Sequence, residues 1–154
     1  MTALVFVDTN VLVYAVDGSE KVKQPAARAW MERLWLTGRG RLSAQVLQEY
    51  YVTVTRKLTP GIERGRARAQ VRRLLTWGPF APDARAFDAA WKLEDRFAIS
   101  WWDALIVAAA KAQGCDHLLS EDLSDGMEYD GVTVVDPFAT GHVELLGDER
   151  SDVS

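Results

Sequence analysis

Apolar residues run unbroken from Leu4 to Val7 and resume from Val11 to Tyr14, with Asp8, Thr9 and Asn10 set between the two stretches. A continuous, β-branched run predicts a strand buried on both faces, as at the centre of a parallel sheet. Its polar end then falls on the carboxyl edge, where open α/β sheets bind their ligands.

Downstream, the hydrophobic spacing becomes helical. Asp17-Gly18-Ser19 is a turn, and Ala26 or Ala27, Trp30 and Leu34 mark one side of a helix over 21–36 that Gly38 closes. A short strand is expected over 41–44. The helix after it, 45–58, buries Leu47, Tyr50 or Tyr51, Val54 and Leu58 until Thr59-Pro60-Gly61 stops it. A third helix over 62–77 turns Ala67, Val71, Leu74 and Leu75 inward and carries Arg64, Arg68 and Arg72 as an i, i+4, i+8 row beside them. Between Phe80 and Pro82 there is room for a short strand or none. Asp83 then caps a helix over 84–97 whose apolar face is Phe87, Ala90, Trp91 and Phe97. Ser100 opens another, with the almost wholly apolar run Ala104 to Ala110, closed by Gly114. Strands follow over 117–120 and 132–135. This alternation predicts an α/β fold: three layers, α/β/α, around a central, mainly parallel sheet of about four to five strands. One domain over 1–138 accounts for these elements. The segment 139–154 is a polar tail with little to bury and an expected mobile end.

Composition narrows the chemistry. No apolar run approaches the roughly 20 residues of a membrane span, and the N-terminus lacks a basic flank, so a soluble, cytoplasmic protein with no membrane partner is expected. Cys115 is the only cysteine and the two histidines are far apart, which excludes a thiolate zinc site and disfavours a histidine-built centre. Any metal site must be built from oxygen ligands. The net charge of −4 argues against a nucleic-acid ligand, but the charge is segregated: Arg56 to Arg73 holds seven basic residues against Glu63 alone. Local charge steers ligands better than the sum does.

Four carboxylates fall on one rim of the predicted sheet: Asp8 after the first strand, Glu49 early in the helix after the second, Asp103 in the first turn of the long apolar helix, and Asp122 past the strand ending at Ser120. Each has an innocent reading. Asp103, three residues after Ser100, matches a capping box; Glu49 sits at the border of an apolar face; Glu121 and Asp122 suit a loop before Asp125-Gly126. Together on one rim they point to a hard divalent cation, because clustered carboxylates repel one another and Mg²⁺ or Mn²⁺ prefers carboxylate and water oxygens. Such a site suits phosphodiester hydrolysis, with one ion or two.

The stretches Val7-Asp8-Thr9-Asn10-Val11-Leu12-Val13-Tyr14, Ser43 with Val46-Leu47-Gln48-Glu49, Ser100-Trp101-Trp102-Asp103-Ala104-Leu105-Ile106 and Leu118-Leu119-Ser120-Glu121-Asp122-Leu123, in this order and spacing, resemble the PIN-domain nucleases and, within them, the VapC toxins of bacterial type II toxin-antitoxin pairs. The likeness runs from Val5 to Phe138. It implies a PIN-like fold and a metal-dependent endoribonuclease in which Asp8, Glu49, Asp103 and Asp122 hold Mg²⁺ or Mn²⁺, leaving a 5′-phosphate and a 3′-hydroxyl. Asn10, Ser120 and Ser43 match polar positions that order the site, and the Ser/Thr-x-Asp pattern selects Asp122 over Glu121. It further implies an RNA substrate, a VapB-type antitoxin that inserts a basic side chain into the acidic site, and a homodimer, for which exposed Trp30, Trp35 or Tyr51 are candidate contacts.

For RNA, the row Arg64, Arg68 and Arg72 is a candidate phosphate track, and Trp101 or Trp102 a candidate stacking surface. Rival readings fit less well. A phosphatase-like domain needs a second Asp where this chain has Asn10. A receiver domain needs a late Lys, and none follows Lys111. A nucleotide-binding module needs a G-x-G-x-x-G after the first strand. An idle PIN-like interaction domain is disfavoured because all four acids are present.

Overall fold

The computed structural model describes residues 3–147. Its sheet has five strands, β1 (Val5–Val7), β2 (Gly40–Arg41), β3 (His117–Leu119), β4 (Glu128–Tyr129) and β5 (Val132–Val135), in the order β2-β1-β3-β5-β4. All pairings are parallel except β4 with β5. Val5, Phe6 and Val7 are all fully buried. Successive strand residues point to opposite faces, so helices must cover both sides of the sheet, giving three layers.

The helices are α1 (Thr9–Val16), α2 (Lys23–Thr37), α3 (Ala44–Val52), α4 (Arg64–Leu74), α5 (Ala84–Phe97), α6 (Trp101–Ala112) and α7 (His142–Leu146). α1 packs on α2 and α3, while α5 packs on α6, which lies against β3 and β5. Starts and stops follow local chemistry. Ser43, Glu63, Asp83 and Ser100 each accept backbone N–H bonds at a helix start, and Gly38 closes α2 at φ 69°. The two-residue loop joining β4 to β5 is Asp130-Gly131, both at positive φ, the conformation that matches a hairpin's twist.

Several elements differ from expectation. α1 is absent from the sequence pattern because Val11, Val13 and Val16 disfavour helix intrinsically; burial of Val11 and Leu12 and the Asp8 cap override that preference. The second strand ends at Arg41, since Ser43 caps α3 and leaves only an isolated bridge to Phe80. The inner stripe of α5 is Ala86, Ala90 and Leu93, whose small side chains admit α6 closely. Phe87 and Trp91, expected inside, lie 40% and 50% exposed on its flank, with ring centroids 5.6 and 6.0 Å from Trp101. On α4, Leu75 just beyond its end is exposed and Val71 only half-buried.

The segment after 138 also does more than expected. Leu146 is buried, and the carbonyls of Leu146 and Gly147 accept bonds from Arg39 and Arg33. Trp30, expected as an exposed contact, is 1% exposed and donates its Nε1–H to the carbonyls of Pro137 and Thr140, each at 3.2 Å. It clamps this segment to α2. The expected mobile run from Asp148 lies outside the described residues. Trp35 is half-buried against Trp77, with ring centroids 5.0 Å apart, and Tyr51 is half-buried too.

Candidate active site

From β1 the chain passes to β2 on one side, then returns across the sheet to β3 on the other. The carboxyl ends of β1 and β3 are therefore the switch point where such sheets open a crevice. Asp8 follows β1 and Ser120 follows β3, in register, with the Asp8 N–H bonded to the Leu119 carbonyl at 3.0 Å. Ser120 Oγ donates to Asp8 Oδ2 at 2.7 Å, and the Thr9 N–H donates to Asp8 Oδ1 at 2.7 Å. Asn10 ties the two strand ends together: its Nδ2 lies 3.3 Å from Asp8 Oδ2, 3.2 Å from Ser120 Oγ and 3.1 Å from Asp122 Oδ2, while its Oδ1 accepts the Glu121 N–H.

Glu49, on α3, accepts from Thr9 Oγ1 at 2.8 Å and from Gln45 Nε2 at 2.9 Å. Asp103 stands in the first turn of α6, its N–H bonded to Ser100 Oγ at 3.1 Å. Capping and proximity to the other acids are both present at Asp103. Ser43 spends its hydroxyl on the Val46 N–H, so its part is to aim the helix that carries Glu49.

Electrostatics binds the four acids into one group. Asp8, 6% exposed, has its pKa pushed up to about 6, chiefly by burial; the Ser120 and Thr9 bonds oppose this, and the charges of Asp122 and Glu49 add to it. Asp103 is also raised, first by burial, with Ser100 opposing and Asp122 and Glu49 adding. Among the described residues no salt bridge reaches any of the four. Glu121 is different. Lys23 Nζ bonds it at 3.0 Å, and the Tyr14 hydroxyl donates to it, which raises the Tyr14 pKa. Of the two adjacent acids, Glu121 is thus neutralised within the fold and Asp122 is left beside Asn10.

An open cleft of about 790 Å³ lies at this rim, with Asn10, Glu49, Glu121 and Asp122 in its wall and Asp8 and Asp103 outside its lining. Thr9, from the polar edge of the first strand, also lines it, as do Tyr14 and Lys57, which the sequence pattern left without a role at the site. Arg64, Arg68 and Arg72 are exposed on α4 but do not line the cleft, and Arg68 Nε bonds the Tyr51 hydroxyl. Trp102 is 63% exposed at the start of α6 and is likewise outside the lining, whereas Trp101 is half-buried among Phe87 and Trp91.

The PIN domain family model matches residues 5–124, which include all four acids and both strand ends of the switch point. The chain belongs to the PIN-domain family. Among solved structures this PIN domain is similar to VapC20 of Mycobacterium tuberculosis, described as a toxin that cleaves the sarcin-ricin loop, with 20% identity, a TM-score of 0.53, and 77% of this chain and 91% of that one covered. That likeness is one of fold. No curated protein sequence matches the chain.

The donor set suits a hard cation by chemistry: four carboxylates, no thiolate, no imidazole. Among the described residues no three such groups converge to hold an ion as they stand. The oxygens of Asp8, Glu49 and Asp122 bond instead to Thr9, Asn10, Gln45 and Ser120.

Proposed function

We propose that this PIN domain is a metal-dependent endoribonuclease of the cytoplasm and the toxin of a toxin-antitoxin pair. The observation that carries this reading is the buried Asp8 at the β1/β3 switch point, its charge disfavoured by burial and by the fields of Asp122 and Glu49. Mg²⁺ or Mn²⁺ would be held by Asp8, Asp103, Asp122 and Glu49. When bound, it supplies Lewis acidity toward water and the scissile phosphate. The chain's own residues supply order. Ser120 and Thr9 fix the Asp8 carboxylate, Asn10 couples it to Asp122, and Thr9 with Gln45 fixes Glu49. Family membership and the fold shared with VapC20 support RNA as substrate and a VapB-type antitoxin as partner; the reading carries with it a 5′-phosphate and a 3′-hydroxyl as product ends, an antitoxin that sets a basic side chain in the cleft, and a homodimer. No described helix is long and apolar enough to cross a membrane.

The test is to map transcript 5′ ends after expressing the chain beside its Asp8→Asn variant. New 5′-phosphate ends are expected from the first and not from the second; the same ends in both would overturn the reading. The Lys23 and Tyr14 contacts also separate the paired acids. Asp122→Asn should slow cleavage of a defined RNA at least about tenfold, a floor set by what loss of even an outer partner of a metal site costs, while Glu121→Gln should have the smaller effect on initial rate. The reverse order would reassign the fourth position.

A further inference from the structure

The cleft is lined by the acids Asp17, Glu20, Glu49, Glu121 and Asp122 and by one cation, Lys57. Lys23 is nearby but committed to Glu121. Lys57 is exposed, and among the described residues no hydrogen bond or ion pair engages it.

Lys57 stands on the helix that carries Glu49, at a point where the backbone widens. α3 continues past Val52 as one wide turn, Thr53–Lys57, in which the Leu58 N–H donates to the Thr53 carbonyl five residues back at 3.0 Å. Glu49, Thr53 and Lys57 recur every four residues and so share one side of a helix, whereas in a regular α-helix residues five apart, such as Val52 and Lys57, point about 140° away from each other. In a turn closed five residues apart they return to the same side. Gln48, Glu49, Val52, Thr53 and Lys57 accordingly all line the cleft. Wide turns of this kind within helices are uncommon and recur at functional sites.

We propose that Lys57 is a substrate-positioning residue: its ammonium pairs with a phosphate of single-stranded RNA beside the scissile bond and fixes where the strand enters an otherwise acidic cleft. This rests on the nuclease reading. An RNA strand meets five carboxylates in that wall, and the one uncommitted cation sets the register of its approach. The Arg64, Arg68 and Arg72 row lies outside the lining.

The experiment compares Lys57→Ala, Lys57→Arg and Arg56→Ala, the last a neighbouring exposed cation outside the lining. Cleavage is measured in the active protein, and binding of a fluorescent single-stranded RNA in the Asp8→Asn background. Lys57→Ala should weaken RNA binding and raise KM about tenfold, as loss of a hydrogen bond to a charged group does, with kcat little changed. It should also make log affinity against log salt shallower by about 0.7, the value for one phosphate contact on a single strand. Lys57→Arg should restore the slope, and Arg56→Ala should leave KM and slope alone. Equal effects from Arg56→Ala, or an unchanged slope in Lys57→Ala, would overturn the proposal. RNA binding that depends on Lys57 in a wild-type chain that does not cleave would instead defeat the nuclease reading and leave Lys57 in its role.

Discussion

Asp8→Asn should make the metal-free protein more stable while abolishing its chemistry. The Asp8 pKa is raised from 3.8 to about 6, and each pH unit of that rise is worth about 1.4 kcal/mol, so holding Asp8 ionised in the fold costs about 3 kcal/mol. A raised carboxyl pKa means that the folded state binds the proton more tightly than the unfolded one. Stability therefore falls as pH rises from about 4 to about 6, and the full cost persists above that. Asn carries no charge, and its Oδ1 can still accept the Thr9 N–H that caps α1. In urea denaturation with EDTA present, the variant should be more stable than wild type at pH 8 by up to about 3 kcal/mol, and the two should converge near pH 4. Adding Mn²⁺ should stabilise wild type and leave the variant unmoved. RNA cleavage should drop by at least about a hundredfold, the upper range for outer partners of a metal site, because here the charge itself is removed. A variant less stable than wild type at pH 8 would show that the hydrogen bonds of the carboxylate outweigh the cost of burying its charge.

Trp30→Ala should be the most damaging substitution for stability. The side chain is among the largest fully buried ones, and its removal leaves a cavity together with two carbonyls, of Pro137 and Thr140, that lose their donor. Truncation of a buried Trp costs about 3–5 kcal/mol, a large share of the roughly 5–15 kcal/mol that holds a domain folded. Trp30→Phe keeps most of the ring and loses only the N–H, so about 1–3 kcal/mol is expected from the unsatisfied carbonyls. Denaturation midpoints of the two variants should fall in that order. If Phe costs as much as Ala, the hydrogen bonds rather than the packing anchor the C-terminal segment.

Where chain chemistry is local, the sequence showed it. α5 and α6 begin where Asp83 and Ser100 cap them, whereas Asp8 and Ser120, 112 positions apart, meet because adjacent parallel strands end in register. Elements that depend on tertiary context were hidden. α1 is valine-rich and helical only because its apolar side is buried, and β4 is too short at two residues to carry a period. The aromatic flank of α5 imitates an inner face, since Phe87 and Trp91 are apolar at helical spacing while the true stripe is made of alanines and Leu93. At the site, the four carboxylates were visible as residue types at strand and helix ends. The bond of Lys23 to Glu121 spans 98 positions, and the wide turn under Lys57 is a backbone irregularity, so neither leaves a sequence pattern.

The pairing of β1 with β3 also sets an order of assembly. Asp8 is made among the first residues of the chain, yet the Ser120 hydroxyl that holds it comes 112 positions later. Contacts this distant cannot close until the chain between them has been made and its loop entropy met. A nascent or truncated chain that stops short of β3 therefore carries Asp8 and Glu49 without the frame that fixes them. On the nuclease reading, the topology of the sheet itself keeps the chain inactive during synthesis until β3 has been made.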